Sequence, residues 1–217
     1  MIPPTVGVIL AGGLSRRMVG QDMGGQDMGG QDKVLLALGD RTLLDHVAQR
    51  LAPQCESLVV NANGDPRRLG ALPFPVVADS VPGHLGPLAG ILTALEWTQA
   101  HRPGIAWVVS VPGDTPFVPS DLVRRLHEAR GRSGHPLACA SSGGQVHFAV
   151  GLWPISLRHD LREMLLTSDG RSIRDWARRH GYAEVSWPVG PRDPFFNINT
   201  PDEWMAAKVF LQREQTR

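Results

Sequence analysis

Apolar residues along this chain follow two rhythms. Over 6–10, 57–61, 75–78 and 105–111 they form short unbroken runs rich in β-branched side chains. Continuous rather than alternating hydrophobicity is the pattern of strands buried on both faces of a parallel sheet. Over 42–51, 88–99 and 120–129 they recur at helical spacing. In "PSDLVRRLHEA", Leu122, Val123, Leu126 and Ala129 share one helix face, and Ser120 is the expected N-cap. The β-α alternation predicts an α/β fold, a three-layer α/β/α sandwich with a mostly parallel, Rossmann-like central sheet wound by right-handed crossovers. After Leu137 the order changes. Residues 137–141 and 146–153 read as a strand pair joined by "SSGG", followed by helices near 156–166 and 172–180. The last helix begins at "NTPDEW", where Thr200 and Glu203 have capping-box spacing and Pro201 occupies the first turn.

Length and composition add bounds. No stretch reads as a linker, so the 217 residues are expected to form one domain. A formal net charge of +1 gives no broad field for nucleic acid or a membrane surface. The first residues have no basic segment followed by an apolar run, and nothing approaches the roughly 20 apolar residues of a membrane span. Cys55 and Cys139 are too few for a disulfide framework and lie in apolar surroundings. They are expected to be buried thiols, and the location expected is cytoplasmic.

Candidate chemistry sits where strands end. "GVILAGGLSRRM" closes a strand with Ala11-Gly12-Gly13, whose backbone N–H groups a phosphate or base edge can approach closely. Arg16, Arg17 and Lys33 add the positive charge that a triphosphate needs. Neither G-x-x-x-x-G-K-[ST] nor G-x-G-x-x-G occurs here. "VVNAN" ends a strand with Asn61 and Asn63, amides that can pair with a base edge or form an Asx-turn. "WVVSVPGDTPFV" delivers Asp114 to the carboxyl end of an apolar strand, where ligands gather in open α/β sheets. A single carboxylate there suits Mg²⁺, which takes one or two protein oxygens plus phosphate oxygens and water. His147, on an apolar strand, reads as a core or edge residue. The arginines at 158, 162, 171, 174, 178 and 179 read as a solvated helical face, with an anionic ligand as the other use of them.

Four blocks in order, "LAGG-x-S-x-RM" with "GGxDK", "LVVNAN", "VVADSVPGHLGPLAGI" with "VPGDTPFV", and "FFNINTPDE", make the chain resemble the molybdenum cofactor guanylyltransferases among the MobA-like nucleotidyltransferases. The resemblance implies transfer of GMP from GTP to the terminal phosphate of molybdopterin, with release of pyrophosphate and Mg²⁺ as cofactor. It implies that Leu10, Ala11, Gly12, Gly13, Lys33, Asn61, Asp79 and Asp114 bind the nucleotide and that Asp114 holds the metal. Arg17, Lys33 and Asp114 would be catalytic, with Gly86-Pro87-Leu88 shaping the pocket wall. Asn197 and Asn199 match a family element near the same site. They offer only amides, so one metal is expected. The N-terminal half would hold GTP and Mg²⁺, and the C-terminal half the pterin. Molybdopterin-handling proteins and recipient molybdoenzymes are the partners implied. A cytidylyltransferase of the same pterin, a transferase for another phosphorylated acceptor, and a nucleotide-binding relative without turnover are the alternatives.

One feature departs from the family pattern. Between Arg17 and Lys33 a pentapeptide ending in Gln-Asp occurs three times, at 18–22, 23–27 and 28–32. Removing 19–28 leaves "RRMGGQDKVLL", the compact form. The third copy therefore reads as the native element, and the first two as a tandem expansion. Roughly doubling a loop costs only about 0.6 kcal/mol in closure entropy. The extra residues are expected to bulge into solvent while Lys33 still returns to the phosphates.

Overall fold

The computed structural model describes residues 1–12, 32–83, 85–167 and 172–215. Strand β1 (Thr5–Leu10) opens the sheet. A small hairpin follows, β2 (Ala37–Leu38) with β3 (Arg41–Thr42), leading into helix α1 (Leu43–Leu51). Then come β4 (Ser57–Asn61), β5 (Val76–Val77), α2 (Pro87–His101), β6 (Trp107–Pro112) and α3 (Leu122–Ser133). The second half comprises β7 (Leu137–Ser142), β8 (Gln145–Pro154), α4 (Arg158–Thr167), α5 (Ile173–His180), β9 (Tyr182–Trp187) and α6 (Pro201–Gln215).

Seven strands form one sheet in the order β5-β4-β1-β6-β8-β7-β9, and every pair not involving β8 is parallel. Both faces of the first strands are buried, which explains their unbroken apolar runs. Val6 and Val8 of β1 belong to the core on the α2 side of the sheet, which α4 and α5 extend, whereas Ile9 belongs to the core on the opposite face, with α1 and α3. A third cluster joins Leu38, Leu43, Phe117 and Ile198 to Trp204 and Leu211 of α6.

Local signals set the element ends. Thr42 and Asp45 form a capping box at α1, and Thr200 and Glu203 form one at α6, with each side chain bonded to the other's backbone N–H. Gly143 and Gly144 have φ of 54° and 77°, the left-handed pair that a two-residue hairpin turn between β7 and β8 requires. Two expectations need correction. Asp121, not Ser120, precedes α3, and its side chain caps nothing. The carboxylate instead accepts from Trp187 Nε1 at 2.9 Å, so the indole of β9 has taken over the capping group. The expected strand at 75–78 shrinks to Val76–Val77, the stretch that pairs with Val60 and Asn61 of β4. Cys139 is buried and Cys55 half-buried, and burial pushes both thiols up to about 12. Neither is disulfide-bonded. No helix among the described residues is long and apolar enough to cross a membrane.

Candidate active site

Chain order places a cleft at one end of the sheet. After β1 the chain builds β4 and β5 on one side, then crosses to lay β6 on the other. The carboxyl ends of β1 and β6 therefore flank a topological switch point, where open α/β sheets bind ligands. The cleft there measures about 470 Å³. Its wall contains Leu10, Ala11 and Gly12 after β1, Asn61 and Asn63 after β4, and Asp79 after β5. Pro112 and Asp114 come from the end of β6, and Gly86 and Pro87 from the N-terminal end of α2. Lys33, Val34, Ala149 and Asn197 complete it. A larger groove of about 880 Å³, near Arg50, Arg192 and Trp187, shares no residue with this cleft and has no amide side chain in its wall.

One end of the cleft is an amide–carboxylate network. Asn61 Nδ2 donates to Asp79 Oδ1 at 2.9 Å and to the Val77 carbonyl at 3.2 Å. Asn63 Nδ2 donates to Asp79 Oδ2 at 2.7 Å, and Asn63 Oδ1 accepts from the Asp79 backbone N–H at 2.8 Å. Both amides are thereby oriented, and Asn61 Oδ1 is turned toward α2. Gly90 makes room for it: a Cβ there would lie 2.2 Å from Asn61 Oδ1 and 2.7 Å from Leu10 Cδ2. Gly90→Ala should therefore displace Asn61 and loosen its bond to Asp79, which a shift of the Asn61 side-chain amide resonances relative to the parent chain would show. Overpacking a buried site costs about 1–3 kcal/mol, and alanine's helix propensity, about 1 kcal/mol better than glycine's, should offset only part of it, so Tm should also fall.

The other end is charged. Lys33 Nζ donates to Asp114 Oδ2 at 2.5 Å and to Asn199 Oδ1 at 2.7 Å. Three distant segments meet here, and backbone bonds hold them. Gly113 N–H donates to the Leu10 carbonyl at 2.9 Å, and Ile198 N–H donates to the Asp114 carbonyl at 3.1 Å. Asp114 Oδ1 is buried and accepts no hydrogen bond, an arrangement that fits a hard cation on that oxygen. No cluster of three or more His, Cys, Asp or Glu able to hold a metal occurs among the described residues. A cation on Asp114 would thus complete its shell with water and ligand oxygens.

Of the residues singled out from sequence, Leu10, Ala11, Gly12, Lys33, Asn61, Asp79 and Asp114 converge on this cleft. Gly13, Arg17 and the extra residues 19–28 lie outside the described residues, as does Arg171. Leu88 is corrected: it is fully buried between α2 and the sheet, and Gly86 and Pro87 alone of that trio form wall. The i to i+1 step on a helix turns a side chain by about 100°, which carries Leu88 inward. Ala149 gave no sequence signal. It reaches the cleft because β8 runs antiparallel beside β6 and its pairing register with β7 slips near Ala140. Ser110 Oγ, donating to the Ala149 carbonyl at 2.8 Å and accepting from Trp153 Nε1 at 2.8 Å, fixes that stretch. His147 is half-buried beside Phe195 and bonded to Ser142 Oγ at 2.7 Å. Burial lowers its pKa, with Asp193 opposing. Ser142 also faces Asp193 at 2.7 Å. The cluster ties the β7–β8 hairpin to the segment that leads to Asn197. Among the C-terminal arginines, Arg162 pairs with Glu96 and Arg179 with Asp160, as a structural face would.

The profile of the MobA-like NTP transferase domain matches residues 7–184. A molybdenum cofactor guanylyltransferase of Nitrobacter hamburgensis is 50% identical over 207 residues, covering 95% of this chain and 94% of its own. Another, from a Bradyrhizobium species, is 50% identical over 208 residues, covering 96% and 93%. The crystal structure of molybdopterin-guanine dinucleotide biosynthesis protein A from Archaeoglobus fulgidus superposes with a TM-score of 0.69 at 21% identity, covering 96% of this chain and 99% of that one. That likeness establishes the fold. The match over most of the chain, together with 50% identity across nearly its whole length, shows that the chain belongs to the MobA-like NTP transferase family.

Proposed function

We propose that the chain transfers GMP from GTP to the terminal phosphate of molybdopterin, releasing pyrophosphate. The observation that carries this reading is the pairing, in one cleft, of a charged centre (Lys33, Asp114) with a network of oriented amides (Asn61, Asn63, Asp79). A nucleoside triphosphate has this polarity, anionic at one end and hydrogen-bonding at the other. The names of the relatives point to guanine and to the pterin.

A phosphate oxygen of the acceptor attacks the α-phosphorus of GTP. A new P–O bond forms, the bond to the β-phosphate oxygen breaks, and pyrophosphate leaves with the electron pair. The attacking oxygen is already anionic, so no general base is needed. The protein's work is alignment and charge neutralisation. Leu10, Ala11 and Gly12 let backbone meet the nucleotide, and Gly13 would extend that contact. Asn61 and Asp79 read the base. Lys33, with Arg17, offsets charge on the α-phosphate and leaving pyrophosphate, and Asn199 holds the Lys33 ammonium in place. Asp114 would hold one Mg²⁺ through Oδ1, which when bound supplies charge neutralisation across the phosphates. The N-terminal half thus serves GTP and Mg²⁺, and the C-terminal half the pterin.

The test is binding and turnover with different nucleotides. We expect saturable GTP binding in Mg²⁺, much weaker CTP binding, and pyrophosphate release that requires molybdopterin. Equal use of CTP would move the chain to the cytidylyl alternative. GTP binding without pyrophosphate release would identify a relative without turnover.

A further inference from the structure

The triplicated pentapeptide poses a mechanical problem: Lys33 must reach Asp114 whatever precedes it. Asp32, the acid of the third copy, stands at the N-cap of the 3₁₀ turn Lys33–Leu35 yet makes no side-chain capping bond. Its carboxylate instead pairs with Arg68 NH1. Arg68 NH2 donates to the Asn63 carbonyl at 2.8 Å. Arg68 itself sits on a second short 3₁₀ turn, Pro66–Leu69, which Asp65 caps by accepting from Arg67 N–H at 2.9 Å. One guanidinium therefore joins the two ends of the cleft. On one side is Asp32, adjacent to Lys33 and so to Asp114 and Asn199. On the other is Asn63, which clamps Asp79 through two bonds. Arg is suited to this because its planar fork presents donors in two directions at once. The sequence adds a reason for the choice of copy. Asp22 and Asp27 occupy the same place in their pentapeptides but precede Met23 and Met28, whereas Asp32 precedes the lysine.

We propose that Arg68 is a positioning residue: it anchors Asp32 to the base-reading end of the cleft and so sets Lys33 against the phosphates independently of the loop length before it. This rests on the reading of the cleft as a nucleoside triphosphate site. The pair is partly exposed, with side chains 29% and 24% accessible, so it should add little to fold stability. Its effect should fall on the phosphate end, since the clamp of Asn63 on Asp79 does not need it.

The experiment compares the parent chain, Arg68→Gln, Asp32→Asn and the double variant, measuring kcat/KM for GTP and dissociation constants for GTP and guanosine. Each single variant should lose about tenfold or more in kcat/KM for GTP, since small misplacements of catalytic groups are costly. Guanosine affinity should stay within about twofold, the scatter usual for substitutions that leave a contact intact. The double variant should be no worse than the singles, because both remove one link. Arg68→Lys, which keeps the charge but not the fork, should fall between Gln and the parent. An unchanged Arg68→Gln, an equal loss for GTP and guanosine, or additive losses would overturn the inference. Failure of the parent chain itself to bind GTP would instead sink the nucleotide reading, and this inference with it.

Discussion

Asp114→Asn is expected to lower kcat for nucleotidyl transfer about 10²–10³-fold, the usual cost of removing one preorganised charge from such a centre, or about 3–4 kcal/mol. Oδ2 receives Lys33 at 2.5 Å, and Oδ1 is buried without a hydrogen-bond partner. Replacing the carboxylate by an amide of the same shape removes the charge that holds the ammonium and the oxygen that would hold Mg²⁺. The fold should tolerate the change, because the tie from this position to the 198 segment is through the Asp114 backbone carbonyl. Circular dichroism and Tm should therefore match the parent chain, while excess Mg²⁺ restores little activity. A variant that keeps half its activity would remove Asp114 from the mechanism.

The second large effect concerns stability in acid. His127 of α3 is buried, its Nε2 lies 2.8 Å from Thr5 Oγ1, and Thr5 donates its own proton to the Pro3 carbonyl at 2.9 Å. The imidazole must then be the donor to Thr5. Burial, with the Arg130 charge second, lowers its pKa from 6.5 to about 4. The sign follows from linkage. Between those values the unfolded chain binds a proton that the folded chain does not, so stability falls as pH drops below 6.5 and the decline from this group levels off at about pH 4. At about 1.4 kcal/mol for each pH unit, the loss is about 3 kcal/mol, a large part of the roughly 5–15 kcal/mol that holds a domain folded. Urea unfolding at pH 7 and pH 4.5 should show it, and His127→Gln, which cannot titrate, should flatten the slope. Equal pH slopes in the two chains would show that the acid sensitivity has another origin.

Much of this molecule is legible in its sequence, and what is not has a common cause. β1, β4 and β6 announce themselves because burial on both faces leaves few polar positions, and those few, such as Ser110, are hydrogen-bonded. α1 and α6 carry capping boxes at their starts. Asp114 stands out because a charge after an apolar run must lie at a strand end. By contrast, β9 has no unbroken apolar run, since "YAEVSW" alternates buried and exposed positions. It is a one-sided edge strand and lacks the pattern of strands buried on both faces. The insertion of β8 between β6 and β7 could not be read at all, since strand partners are chosen by non-local packing. The same holds within the site. Lys33 and Asp114 were separately visible, but the bond from Lys33 to Asn199, 166 residues apart in sequence, and the link from Asp32 through Arg68 to Asn63 needed the fold. Local chemistry names the groups, and topology decides which of them meet.

On the proposed function, this cleft directs attack on the α-phosphorus of GTP. The most direct test incubates the chain with molybdopterin, Mg²⁺ and GTP labelled at either the α- or the γ-phosphate. The α label should enter the pterin product, and the γ label should appear in pyrophosphate. Release of the γ label as inorganic phosphate, or an α label that never joins the pterin, would contradict it.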